Sequence, residues 1–379
     1  MTRPEVLMKL PEPGKLVRLA LLGVTLACGH TEPFGSQGYD TDQPFDPTLP
    51  LRLTLNRGPD RGPAWLPDGT GILYSTQLSD ARDKDVCLAL LPPTGGRQRA
   101  LTCTLSTTGA QLREAIESAA PDSAGQLAFI AASSEPSAVL PESQSLVLGT
   151  VDRPGEYRPL LGLPYTSASG RLATGISQLH WSGKGRLVFL AEQVSTRLPC
   201  NGCELDTIRS GLEAVSLAID QAPVTPEFVP GTDFASGVSP GSNEHEIYYT
   251  LGGDTRVYRK DLLTGEVAVA YDFGAAGLAR DVDVVGTRMA AVVGGHASFS
   301  TDPSLGPVQW DSGGILHVVD LETGSDVVLD GPGVFRRPRL SPDGSRVVAE
   351  LYPLIITDMD GFKDTTVSRA GDLYLIGQP

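Results

Sequence analysis

From Leu51 onward the chain alternates short apolar runs with clusters of Gly, Pro, Asp and Ser. The clearest runs are "GILYS" (71–75), "QLAFIA" (126–131), "RLVFLA" (186–191), "EIYYTL" (246–251), "RMAAVV" (288–293) and "RVVAEL" (346–351). Each has the length of a strand and lacks the polar face of an amphipathic helix, so each reads as a strand covered on both sides. No long 3.6-residue period appears anywhere in this stretch.

The turn cluster before each run repeats. The sharpest copies are "AWLPDG" (64–69) and "RLSPDG" (339–344); weaker ones are "SAAPDS" (118–123), "HWSGKG" (180–185), "GVSPGS" (237–242) and "DVDVVG" (281–286). Their marker residues are Trp65, Ala119, Trp181, Val238, Val282 and Leu340, at intervals of 54, 62, 57, 44 and 58. Further strands follow each run, among them "VCLALL" (86–91), "SLVLGTV" (145–151), "RVYRKDL" (256–262) and "ILHVVDL" (315–321). Four short strands per unit at this period predict an all-β, six-bladed β-propeller of four-stranded antiparallel blades over residues 50–379. Pro-Asp-Gly is turn chemistry: Pro pre-sets φ, Asp caps through its side chain and Gly takes the positive φ. The sixth unit has room for three strands, ending in "DLYLIG" (372–377). "LRLTLN" (51–56) supplies the fourth, closing the ring and removing an open edge.

The segments Trp65–Tyr74 and Leu340–Ala349 resemble the TolB-type, WD40-like propeller repeat. The resemblance spans residues 50–379, sharply in two units and loosely in four. It implies the propeller fold, shared by TolB, by prolyl-oligopeptidase-type peptidases and by many bacterial lipoproteins. The chain departs from TolB in having only the short segment 29–49 where TolB carries an α/β domain. It also lacks the hydrolase domain that follows the propeller in the peptidases.

The first residues have a different character. Lys9, Lys15 and Arg18 precede a short apolar run, Leu19–Ala27, which is too short to span a bilayer and fits a secretory signal. The run ends in Thr25-Leu26-Ala27-Cys28, which resembles a bacterial lipobox, with Thr25 where Leu is usual. Residues 1–27 are thus expected to be a lipoprotein-type signal, Cys28 the lipidation site and 28–49 a flexible tether. Lipidating Cys28 leaves an even four of the five cysteines, as suits an oxidising compartment. Membrane attachment is expected through the lipid alone. With 45 acidic and 30 basic residues the net charge is −15, which argues against a nucleic-acid partner and for a soluble, monomeric propeller.

Cys87 and Cys103 lie equally far from Gly95 in a Pro-Thr-Gly-Gly turn, which sets them opposite each other on paired strands and predicts a disulfide; two buried thiols are the alternative. "CNGC" places Cys200 and Cys203 at a loop tip. Glu204 stands where haem attachment needs His, no further zinc ligands are near and no βαβ context surrounds the pair, so a small disulfide is expected. "GVSPG" (237–241) matches Gly-x-Ser-x-Gly but falls on a blade turn, not on the strand-to-helix elbow a nucleophile needs. "DMDGFKD" (358–364) has Gly at the fourth position of a would-be calcium loop instead of the sixth and reads as a turn. His180 reads as a core residue; His296, in a long loop, is the one histidine to watch. No catalytic residue, metal site or cofactor site is expected.

The connections between second and third strands vary most. That of unit four is tight; those of unit three (191–218), unit five (294–317) and unit six (352–374) are long. All project from one propeller face, and long connections in compact domains carry function. Phe299, Trp310 and Phe362 are the expected contact anchors. The sequence therefore predicts a non-enzymatic envelope lipoprotein that binds a protein partner through this face. The alternative is a glycan- or peptide-directed hydrolase or lyase acting at the axial pocket.

Overall fold

In the computed structural model, residues 50–54, 59–77, 86–102, 106–107, 110–118, 122, 124–133, 143–153, 156–166, 172–183, 185–197, 206–220, 224–294, 297–299, 309–311, 313–329, 333–359, 362–367 and 371–377 are described. Cys28, Cys103, Cys200, Cys203, His296, the signal segment and the tether lie outside them. Pro47–Pro379 forms one compact unit.

The chain folds as six antiparallel blades. From the innermost strand outward, blade one is Asp60–Trp65, Ile72–Gln77, Val86–Leu91 and Arg99–Thr102. Blade two is Ala110–Ser118, Gln126–Ser133, Ser143–Thr150 and Arg158–Gly162. Blade three is Leu172–Trp181, Arg186–Arg197, Asp206–Ala218 and Pro226–Phe228. Blade four is Ala235–Pro240, Glu246–Leu251, Arg256–Asp261 and Val267–Asp272. Blade five is Ala279–Val285, Arg288–Val293, Ile315–Asp320 and Asp326–Leu329. Blade six is Gly333–Leu340, Arg346–Met359, Asp372–Gly377 and the N-terminal strand Leu51–Arg52.

Ring closure follows the sequence expectation with a shorter strand. Leu51 pairs with Leu375 and Arg52 with Tyr374. The ladder then gives way to a side chain: Leu53 N donates to Leu373 O at 2.8 Å, and Leu373 N donates to Thr54 Oγ1 at 2.9 Å. Arg52 also pairs with Asp372 at 2.7 Å.

The apolar runs are buried on both faces because each blade packs between two others. The core is six clusters, one for each pair of adjacent blades. The seam between blades six and one holds Leu53, Trp65, Tyr74, Leu91, Val348 and Leu375. Trp65 donates its indole N–H to Arg339 O at 3.0 Å, and Arg346 covers its ring. Trp181 packs against the cluster between blades two and three. Both tryptophans therefore serve blade packing.

The two sharp Pro-Asp-Gly copies form the same turn. Gly69 N donates to Leu66 O and Gly344 N to Ser341 O, with φ of 70° and 69° at the glycines. Asp68 accepts from Thr70 N and Oγ1; Asp343 accepts from Ser341 Oγ, Ser345 N and Ser345 Oγ. Those donors, the Ser341 hydroxyl first, draw the Asp343 carboxyl down to about 2. Each aspartate satisfies donors that the turn would leave bare, which is why the motif recurs.

Candidate functional site

Two regions carry the polar and irregular features of the molecule: the inner strands around the axis, and the face bearing the second-to-third connections.

Every inner strand shifts register. The breaks fall at Arg61/Ala64, Ala115/Glu117, Ser177/His180, Ala235/Gly237, Ala279/Val282 and Arg336/Arg339. A bulge adds a residue and re-aims the side chains beside it. Gly62, Gln178 and Arg337 sit at equivalent places in blades one, three and six with φ of 60°, 52° and 46°. Gln178 and Arg337 thus hold a left-handed conformation that side chains other than Gly, Asn and Asp rarely adopt.

Hydrogen bonds between blades keep them there. Gln178, on blade three, accepts at Oε1 from Val238 N (3.0 Å) and donates from Nε2 to Ser236 O (3.0 Å), both on blade four. The same Nε2 donates to Asp281 Oδ1 on blade five at 2.6 Å. Asp281 Oδ2 accepts from Arg337 N on blade six at 2.9 Å. Arg337 reaches Glu350 Oε1 at 3.4 Å, and the same oxygen accepts Gly62 N of blade one at 2.7 Å. Glu350 Oε2 accepts from Tyr352 OH at 2.9 Å. Burial and the Glu350 charge hold the Tyr352 hydroxyl well above the usual tyrosine range. A polar belt therefore runs from blade three through four, five and six to blade one.

Blade four makes this possible by being slim at the axis. A Cβ on Gly237 would stand 2.5 Å from Arg280 O and 3.0 Å from the Asp281 Cα. This is the first glycine of "GVSPG". Its serine, Ser239, accepts from Val284 N at 2.9 Å and donates to Pro240 O at 3.1 Å. The motif lies on the inner strand Ala235–Pro240 and not on the blade turn expected from the sequence, and its Gly and Ser serve the joint with blade five.

The neighbouring level holds His180, Asp283 and Arg339, all buried, on blades three, five and six. Asp283 Oδ2 accepts Leu340 N at 2.7 Å. His180 Nδ1 lies 3.6 Å from Asp283 Oδ1, beyond hydrogen-bond length, and His180 Nε2 is buried without a hydrogen-bond partner. Burial, reinforced by the Arg339 charge, pushes the imidazole well below its ordinary value; a backbone hydrogen bond to Val238 is outweighed. Burial raises the Asp283 carboxyl. Among the described residues no group of three or more His, Cys, Asp or Glu is placed to hold a metal. The side chains of blade two's inner strand lie outside the description.

On the other region the structure refines the sequence reading. Antiparallel blades put all six second-to-third connections on one face, and three of them contain β-structure where loops were expected. In blade three the second and third strands stay paired out to Arg197↔Asp206. In blade six the second strand runs on to Met359 and pairs with Phe362–Val367. In blade five Ala297–Phe299 pairs with Gln309–Asp311. Trp310 lies opposite Ser298, Phe299 opposite Gln309 and Phe362 opposite Met359. The three expected anchors thus stand on two hairpins, and their side chains lie outside the described residues. Within "DMDGFKD", Asp358 pairs with Lys363 and Thr357 with Asp364 on antiparallel strands, while Asp360 and Gly361 lie outside the described residues.

Cys87 is buried on the third strand of blade one and is disulfide-bonded. The last described pair of its ladder, Leu88↔Thr102, stops one residue short of its expected partner Cys103.

The belt residues were missed in the sequence. Their signal was polar residues inside otherwise apolar runs: Asp281 in "RDVDVV" and Glu350 in "RVVAEL".

Solved propellers share this architecture. A gluconolactonase from Xanthomonas campestris is 15% identical with a TM-score of 0.51, over 87% of this chain and 89% of that one. Regucalcin, described as a calcium-binding protein, from Agrobacterium tumefaciens is 14% identical with a TM-score of 0.49, over 87% and 94%. TolB from Acinetobacter baumannii is 15% identical with a TM-score of 0.33, over 85% of this chain and 57% of that one. At 15% identity the gluconolactonase, whose TM-score alone among these three exceeds 0.5, speaks for the fold and nothing more. No protein-family model matches the chain, and no curated protein matches it.

Proposed function

We propose that this chain is a non-catalytic binding module of the bacterial envelope, exported and anchored by lipid at Cys28. In this reading its hairpin-bearing face receives a protein partner. The carrying observation is the asymmetry between the two regions. The axial carboxylates Asp281, Asp283 and Glu350 accept hydrogen bonds from backbone N–H groups of neighbouring blades. Groups so engaged stiffen a ring and are poorly placed to move protons. The second-to-third connections differ: blades three, five and six extend them into paired strands, and Phe299, Trp310 and Phe362 belong to the paired strands of blades five and six.

The alternative, a hydrolase or lyase at the axis, draws on His180 beside Asp283. Burial of His180 Nε2 speaks against it, because a general base must reach the proton it removes. The deciding experiment is affinity capture of the tagged, lipidated protein from its own membranes after brief crosslinking. It is run beside a variant with the three hairpins cut to the length of blade four's turn. A partner held by the full protein and lost by the trimmed one supports the reading. Equal capture by both proteins, or none, overturns it.

A further inference from the structure

A propeller has as many outer edges as blades, and a bare edge invites another strand. Five of the six described outer strands are five residues or shorter. Blade one's outer strand begins with Arg99. Blade two's contains Pro159 and a register shift. Blade three's is three residues, Pro-Glu-Phe. Blade five's is four residues opening with Asp326, and blade six's is two residues ending in Arg52. Blade four's outer strand, Val267–Asp272, is six residues, "VAVAYD", with no proline and no charge before its last position. Among the described residues it has no neighbour on its outer side. Val267 and Val269 are 45% and 50% exposed. They are paired with Lys260 and Tyr258, so they share the side that faces blade three. Blade three's short outer strand leaves them uncovered.

We propose that this edge is a β-augmentation site for an extended segment of another protein, with alternate apolar residues between basic ends. Main-chain pairing would supply affinity, and the two valines would take the alternate side chains. The ends of the strand set the charge. Glu266 is exposed at its start, and Asp272 at its finish is held below the usual carboxylate range by the Thr255 hydroxyl and Gly274 N. An antiparallel second copy would oppose Glu266 to Asp272, like against like. The chain's own tether, "TEPFGSQGYDTDQPFDPTL", is acidic and rich in Pro and Gly and suits the edge no better.

The test uses the full chain and arrays of short, proline-free peptides with Val or Ile at alternate positions, capped by Lys in one set and by Glu in the other. Peptides of the Lys-capped set are expected to bind saturably and to slow amide exchange across 267–272. Val267→Lys/Val269→Lys, which changes only exposed positions, is expected to keep the far-ultraviolet spectrum and weaken binding at least about tenfold. Three results overturn the proposal. They are no slowed exchange with any peptide, equal binding of the Glu-capped set, or exchange already slow in the chain alone, which would assign the edge to a second copy or to the tether. The readout does not involve the hairpin face, so it succeeds or fails independently of the partner capture.

Discussion

His180→Gln isolates the electrostatics of the axis. The folded protein keeps this imidazole neutral, because burial and Arg339 both oppose its charge. The unfolded chain lets it titrate near 6.5. Between its depressed folded value and 6.5 the unfolded state binds one more proton. Stability is therefore fully present above pH 6.5 and is lost as pH falls. The slope approaches 2.303RT, about 1.4 kcal/mol per pH unit, and close to that amount is lost in moving from about pH 7.5 to about 5.5. Glutamine keeps a donor for the Val238 backbone and removes the titration. The assay is urea unfolding followed by tryptophan fluorescence at several pH values, for wild type and variant in parallel. Every other group is shared by the two proteins, so its contribution cancels in the difference. Asp283 acts with the opposite sign, since its raised carboxyl favours the folded state as pH falls, so either curve by itself is read from the upper part of the window. The expected result is a wild-type penalty on acidification that His180→Gln lacks. Parallel pH curves would refute the reasoning, because they would show that the imidazole gains its proton as readily folded as unfolded.

Asp281→Ala removes the charged acceptor shared by Gln178 Nε2 and Arg337 N, leaving Gln178 Nε2 its bond to Ser236 O; a loss of about 2–3 kcal/mol is expected from the urea midpoint, consistent with hydrogen bonds to a charged acceptor. Gly237→Ala forces a methyl against Arg280 O and the Asp281 backbone; it should cost about 1–3 kcal/mol and lower the melting temperature, whereas Gly253→Ala at an open position with φ of 85° should cost only its conformational strain. If Cys103 is the partner of Cys87, Cys103→Ser should free one thiol for labelling and lower stability by about 3 kcal/mol, the value expected for a loop of this size. Leu53→Ala removes a buried side chain from the closing seam and should cost about 2–4 kcal/mol by the same denaturation assay.

The sequence was legible where local chemistry and period agree. Pro-Asp-Gly specifies its turn within a few residues, so the copies at 67–69 and 342–344 located the inner joints of two blades. Spacing then located the rest, and the count of strands after Leu340 called for one from the N-terminal side. The belt was not legible for a physical reason. Gln178 reaches Asp281 across 103 positions, and Gly62 reaches Glu350 across 288. Nothing local distinguishes Asp281 from a solvated residue until the ring brings blades three, five and six together. The left-handed backbone at Gln178 and Arg337 was hidden likewise, since neither residue favours it and only the belt holds it. The hairpins were misread as loops because their tips lack a clean alternation. In blade six the turn read at "DMDGFKD" agrees with Asp360-Gly361 as a strong hairpin signal between "IITDM" and "FKDTTV"; what the reading lacked was the pair of strands flanking it.

The closing seam has a consequence in time. Leu373 N bonds Thr54 Oγ1 across 319 positions, so one of the first strands to be synthesised finds its neighbour only when one of the last has emerged. The entropic cost of closing so long a loop grows slowly with length, but the wait itself cannot be shortened. Until then Trp65, Tyr74 and Leu91 on one side and Val348 and Leu375 on the other lack their facing layer. A chain crossing a membrane in extended form would thus arrive with its opening strand idle and two apolar flanks exposed. The interval before ring closure is the period in which the chain most needs shielding from other chains.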